Sequence, residues 1–132
     1  MKRVCEKVVQ SHDGKISICI DTLNKDEILK YILQDERHKK KWTFIAEIIL
    51  GRYQNREVYD KEEINSKCRH VTAMKFFKGQ ENDRIYCKEV RGIEGVMIVV
   101  AAVLHKRKKS TSLSQREITI IETVGGYDYE IQ

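Results

Sequence analysis

Ile16, Ile18 and Ile20 alternate with Ser17 and Cys19, the two-residue period of a half-buried strand. Ser11, His12, Asp13 and Gly14 form a turn signal before them, and residues 4–9 read as a weaker first strand. Residues 1–22 therefore predict a hairpin. The period then lengthens. Asn24 is placed to cap a helix, with Glu27 at the capping-box position and Ile28, Leu29, Ile32 and Leu33 as its apolar face. The basic run at residues 37–41 reads as a break or exposed turn. A second helix is expected from about residue 41 to 53, with Trp42, Ile45, Ile49 and Tyr53 on one face and Ile48 beside them. Residues 54–69 are polar and allow at most one short helix near residues 61–66.

Strand periodicity returns at residues 71–77, 84–90 and 96–104, separated by turns at 78–83 and 92–95. The third run is apolar on both faces, which places it at a sheet centre. After a loop at residues 105–113, Ser114 and Glu117 form a capping box, with Leu113 and Ile118 at the staple positions. Gly125 and Gly126 should end that helix before a tail at residues 127–132. The fold class is α+β: an antiparallel sheet with two N-terminal helices on one face and a C-terminal helix. The other sheet face is expected to be open.

The chain has 132 residues, about one domain's worth, so residues 1–132 read as one unit with hairpin 1–22 as a candidate extension. Apolar residues make up 41% and charged residues 34%, enough to build a core and to exclude a wholly disordered chain. No apolar run approaches the roughly 18 residues needed to cross a bilayer, and no signal-peptide core follows Met1, Lys2 and Arg3. A cytoplasmic protein without a membrane partner is the default expectation. Cys5, Cys19, Cys68 and Cys87 are widely spaced and read as free thiols.

The net charge is +5, with a pI near 9.0, which matters only where it clusters. Strand parity puts Arg84, Tyr86 and Lys88 on the expected open face and Ile85, Cys87 and Glu89 on the packed one. Cations around an aromatic ring can hold phosphates and stack a base; the same row also suits an ordinary solvated face. Glu89 reads as the partner of a cation. A second cluster follows the apolar strand: His105, Lys106, Arg107, Lys108 and Lys109, then Ser110, Thr111 and Ser112. It suits phosphate binding or, equally, a solubilising loop. His105 can exchange protons near neutral pH. His12, His38 and His70 lack partners at metal spacing, and no phosphate loop, nucleophile elbow or carboxylate pair appears. No metal or cofactor is called for.

Residues 71–121 resemble the C-terminal half of the RelE/HigB-type toxins of bacterial toxin–antitoxin pairs. The resemblance rests on Asn82, Asp83, Arg84, Ile85 and Tyr86, on the apolar run at 99–104 with the basic and hydroxyl residues after it, and on the helix opening Ser114, Gln115, Arg116, Glu117 and Ile118. The preceding strand–helix–helix order agrees; the N-terminal hairpin and residues 54–69 are extra length, and the family's frequent Glu-Leu-Arg-like run is missing. The resemblance implies a metal-independent endoribonuclease that cuts mRNA, often on the ribosome, with an acidic antitoxin protein as partner. Arg84 would stabilise the phosphate, joined by Lys88 and by Arg107 or Lys108, with Lys106 and Lys109 also on phosphates. His105 would carry a proton, Tyr86 would stack a base, and Tyr127 or Tyr129 could reach in from the tail. Two alternatives stay open: a non-catalytic nucleic-acid-binding module, and a ParE-like toxin acting on a topoisomerase.

Overall fold

The computed structural model describes residues 2–77, 82–106 and 114–130. The predicted hairpin is present as β1 (Arg3–Gln10) and β2 (Ile16–Asp21), joined through a turn in which Gly14 takes a left-handed φ of 73°. α1 (Lys25–Ile32) and α2 (Glu36–Leu50) follow, then β3 (Tyr59–Lys61), β4 (Val71–Lys75), β5 (Arg84–Arg91) and β6 (Met97–His105). α3 (Gln115–Gly125) and β7 (Tyr129–Glu130) complete the order. β3 is a strand where the sequence suggested at most a short helix, although a 3-10 turn does form at Ser66–Cys68.

One sheet of seven strands runs β3-β4-β5-β6-β2-β1-β7. The β4-β5-β6 meander is antiparallel as expected, and doubly buried β6 lies at the centre of the seven-stranded sheet. β2 joins β6 in parallel, Ile16 opposite Met97 and Ile20 opposite Ala101, so the sheet is mostly but not wholly antiparallel. The hairpin is therefore an integral part of the sheet. Its Ile16, Ile18 and Ile20 enter the main core with Ile28, Ile32, Ile45 and Ile49 of α1 and α2 and with Ile85 and Val99.

The opposite sheet face is not open. α3 packs there, and Ile121 and Val124 close over Tyr86, Val100, Ala102, Ala73 and Tyr129. The C-terminal helix carries an apolar face of its own, and burying that face takes up the sheet surface expected to be open. Two local expectations also change. Asn24 makes no side-chain cap bond; its Nδ2 donates to the Ala102 carbonyl at 2.7 Å. Residues 37–41 are not a break but the first turns of α2, because Asp35 caps that helix: its Oδ1 accepts the His38 backbone N–H at 2.8 Å. Tyr53 lies beyond the end of α2 and is exposed.

α3 has the predicted capping box, with Ser114 Oγ accepting the Glu117 N–H at 3.2 Å. Staple residue Leu113 and turn residues 78–81 lie outside the described residues. At its other end Gly125 meets the Ser66–Cys68 turn so closely that a Cβ would overlap the Lys67 carbonyl oxygen. Gly126, at φ −84°, has nothing closer than 3.5 Å to such an atom. Gly125→Ala should therefore cost about 3 kcal/mol by overpacking against backbone. Gly126→Ala should be close to neutral. Urea unfolding of the two variants checks this contrast.

Tyr129 is buried and donates its hydroxyl to Asp21 Oδ2 at 2.7 Å; burial and that carboxylate push its pKa up. Burial likewise raises Tyr59, which donates to Glu89 Oε2 at 2.8 Å. Both phenols stay neutral in the fold at pH values where the unfolded chain ionises them. Stability should hold below pH ~10 and fall as pH rises beyond it. Tyr129→Phe should flatten this alkaline loss while costing about 1 kcal/mol at neutral pH. Thermal midpoints measured across pH 7 to 11 read both effects.

Candidate active site

The β4-β5-β6 register sets one row of side chains side by side. Lys75 is opposite Arg84, and Arg84 is opposite His105. Directly opposed residues project from the same sheet face, about 5 Å apart. A bulge between Tyr86 and Cys87 follows this row, yet Tyr86 still falls on the α3 face and Cys87 on the α1–α2 face, as parity predicted. Acidic residues from the edge strand and its exit answer the row. Glu62 Oε1 lies 3.5 Å from Arg84 Nη1, and Asp60 Oδ2 lies 3.8 Å from Lys75 Nζ.

Arg84 is mostly buried, its side chain 14% exposed. Its Nε and Nη1 have no hydrogen-bond acceptor among the described residues. Orphaned guanidinium donors are costly in a protein interior. An anion reaching that end of the sheet would relieve the cost. His105 beside it is half-buried, its ring stacked at 26° and 6.4 Å from Tyr86. Lys106, next in the chain, is exposed. The cluster thus combines a fixed cation with an imidazole and a carboxylate, the group types needed to hold a phosphate and to move protons.

Several predicted roles do not survive this geometry. Tyr86 is fully buried beneath α3, so its ring offers no face to a base. Lys88 does not stand on an open face: its Nζ donates to the Gly125 carbonyl, clamping the C-terminus of α3, where a cation opposes the helix dipole favourably. Burial depresses its pKa. Tyr127 and Tyr129 sit at the far sheet edge, Tyr127 under the Arg3 guanidinium at 3.9 Å. Glu89 does pair with a cation, Arg91 Nη2 at 3.1 Å. Arg107, Lys108 and Lys109 lie outside the described residues.

Sequence reasoning missed Lys75, Asp60 and Glu62. Lys75 shares the parity of Val71 and Ala73, so its face was readable; its register with Arg84 was not. Asp60 and Glu62 depend on β3, a strand of three residues with too little pattern to detect. Among the described residues no group of three or more His, Cys, Asp or Glu side chains gathers as metal ligands would, and no helix is long and apolar enough to cross a membrane. No family model, curated protein or solved structure matches the chain.

Lys88→Ala tests the clamp. It should lower stability by about 1 kcal/mol through loss of one charge-assisted hydrogen bond, read as a reduced thermal midpoint.

Proposed function

We propose that the protein is an endoribonuclease that cleaves RNA through attack of a ribose 2′-hydroxyl on the adjacent phosphate. The observation that supports this reading best is the Arg84 guanidinium, with two buried donors lacking acceptors, set opposite His105 and beside Glu62. In the reaction the 2′-oxygen forms a bond to phosphorus and the P–O5′ bond breaks. One proton leaves the 2′-hydroxyl and one is delivered to the 5′-oxygen, giving a 2′,3′-cyclic phosphate and a 5′-hydroxyl end. The phosphorane-like state gains negative charge, which Arg84 stabilises through preorganised donors, with Lys75 behind it in the row. His105 and Glu62 are the neighbouring groups able to carry the two protons. Lys106, which directly follows His105, supplies a phosphate contact; Arg107, Lys108 and Lys109, next in sequence, add to the positive charge available to RNA.

The RelE/HigB resemblance of residues 71–121 extends this reading to mRNA, ribosome-bound, as substrate, and to an acidic antitoxin as partner. The strand–helix–helix–meander–helix order supports that extension.

Arg84→Ala should lower the cleavage rate about a hundredfold, equivalent to roughly 3 kcal/mol of transition-state stabilisation. Arg84→Lys keeps the ion pair with Glu62 but loses the two-pronged donor geometry, so it should recover only part of the rate. The assay follows cyclic-phosphate ends on free and ribosome-bound mRNA, with thermal unfolding as the control for folding. A folded Arg84→Lys protein cutting at the wild-type rate would place the chemistry elsewhere.

A further inference from the structure

The basic run at residues 37–41 is not used by the site above. Within α2 its members separate by face. His38 turns inward, 4% exposed, with edge-on rings of Tyr31 and Phe77 on either side at 4.9 Å. Lys39 reaches Glu36 at 3.3 Å. Arg37, Lys40, Lys41 and Phe44 fall at i, i+3, i+4 and i+7, one helical face. Together with Phe77 and the Glu36 carboxylate they line a groove of about 530 Å³.

This composition opposes helix stability twice. Arg37 lies in the first turn of α2, where the helix dipole disfavours positive charge, with Lys40 and Lys41 one turn on. They are also neighbours of like sign, which costs a few tenths of a kcal/mol per pair. Lys40 and Lys41 gain no salt bridge among the described residues; the Lys41 ammonium lies 5.7 Å over the Phe44 ring. Phe44 itself stays 42% exposed. Arg37 covers Phe77 at 3.6 Å, so even this apolar wall presents charge.

The groove is tied to the same end of the sheet as Arg84. Phe77 follows Lys75 by two residues, and Tyr31 donates to Asp83, the neighbour of Arg84, at 2.9 Å. Tyr31, whose ring meets His38, also lines a second concavity with Lys30, Gln34, Lys106 and the Glu27 carboxylate. Lys106 directly follows His105.

We propose that the α2 groove binds single-stranded RNA, with Lys40 and Lys41 on successive phosphates and a base stacked on Phe44. Three cations against one carboxylate, Glu36, which Lys39 already pairs, beside a part-exposed aromatic ring suit a strand that offers both phosphates and flat bases. An acidic peptide would satisfy only the charge. The inference rests on the RNA-cleavage reading and extends it: the groove holds the strand whose scissile phosphate reaches Arg84.

The test uses the full chain and a short fluorescent 2′-O-methyl oligoribonucleotide, whose blocked 2′-oxygen prevents cleavage, titrated by anisotropy at several salt concentrations. Lys40→Gln/Lys41→Gln should weaken binding about tenfold and reduce the salt slope by about 1.4, the value for two lost contacts on a single strand. Phe44→Ala should weaken binding at least about fivefold with the slope unchanged. Lys7→Gln/Lys15→Gln, which removes the same charge from the β1–β2 hairpin, should bind as wild type. If the α2 double variant binds like this control, the groove is not the RNA site, and cleavage of unmodified RNA by wild type still stands on its own. If wild type binds through the groove but cuts no unmodified RNA, the groove holds and the catalytic reading falls. Polyglutamate binding at Lys40 and Lys41, with no RNA binding there, would overturn the proposal in favour of a protein partner.

Discussion

A fully buried carboxylate sets the terms for the rest of the molecule. Asp21 ends β2 with none of its surface in water, and a charge so placed must be met by donors on every side. Three meet it: Arg3 Nε and the Tyr129 hydroxyl, each at 2.7 Å, and the Leu23 N–H at 2.9 Å. The first anchors the start of β1. The second brings the chain back after α3 as β7, and the third tightens the turn that launches α1. A single group thereby ties together parts of the chain more than a hundred positions apart.

That anchoring directs the helices, and through them the two basic surfaces. α1 leaves the end of β2 and packs beside β6, which brings Lys30 to the same concavity as Lys106. α2 returns along the sheet with its capped end beside Phe77. α3 closes the opposite face through Ile121 and Val124, and Lys88 and the close approach at Gly125 fix where it stops. The Lys75–Arg84–His105 row is thus carried on paired strands rather than loops, a rigid base for groups whose chemistry depends on position.

What could be read from the chain follows from how local each signal is. The alternation of Ile16, Ile18 and Ile20, the doubly apolar run of β6 and the Ser114–Glu117 capping box each occupy a few neighbouring residues, and each appears in the structure. Parity along β5 was also legible, because Ile85 and Cys87 separate cleanly from Arg84 and Tyr86. The meaning of that parity was not. Whether Tyr86 faces water depends on α3, some thirty residues later, and strand periodicity carries no information about a covering layer. The same limit hid Glu62, whose approach to Arg84 requires β3 to pair with β4. At residues 37–41 local charge misled: five cationic or imidazole side chains resemble a break, but the Asp35 cap and the inward turn of His38 make them a helix.

The parallel seam between β2 and β6 has a kinetic consequence. Ile16 meets Met97 only after α1, α2 and three further strands have been made. Such a pairing closes a long loop, and its entropic cost must be met before any contact rewards it. The β4-β5-β6 meander, by contrast, closes only short loops. During synthesis the hairpin emerges before the meander, with its row of isoleucines preceding the strand it pairs with. Until β6 is in place the β2 edge that pairs with it has no strand to meet, and such an unpaired edge is a template for association.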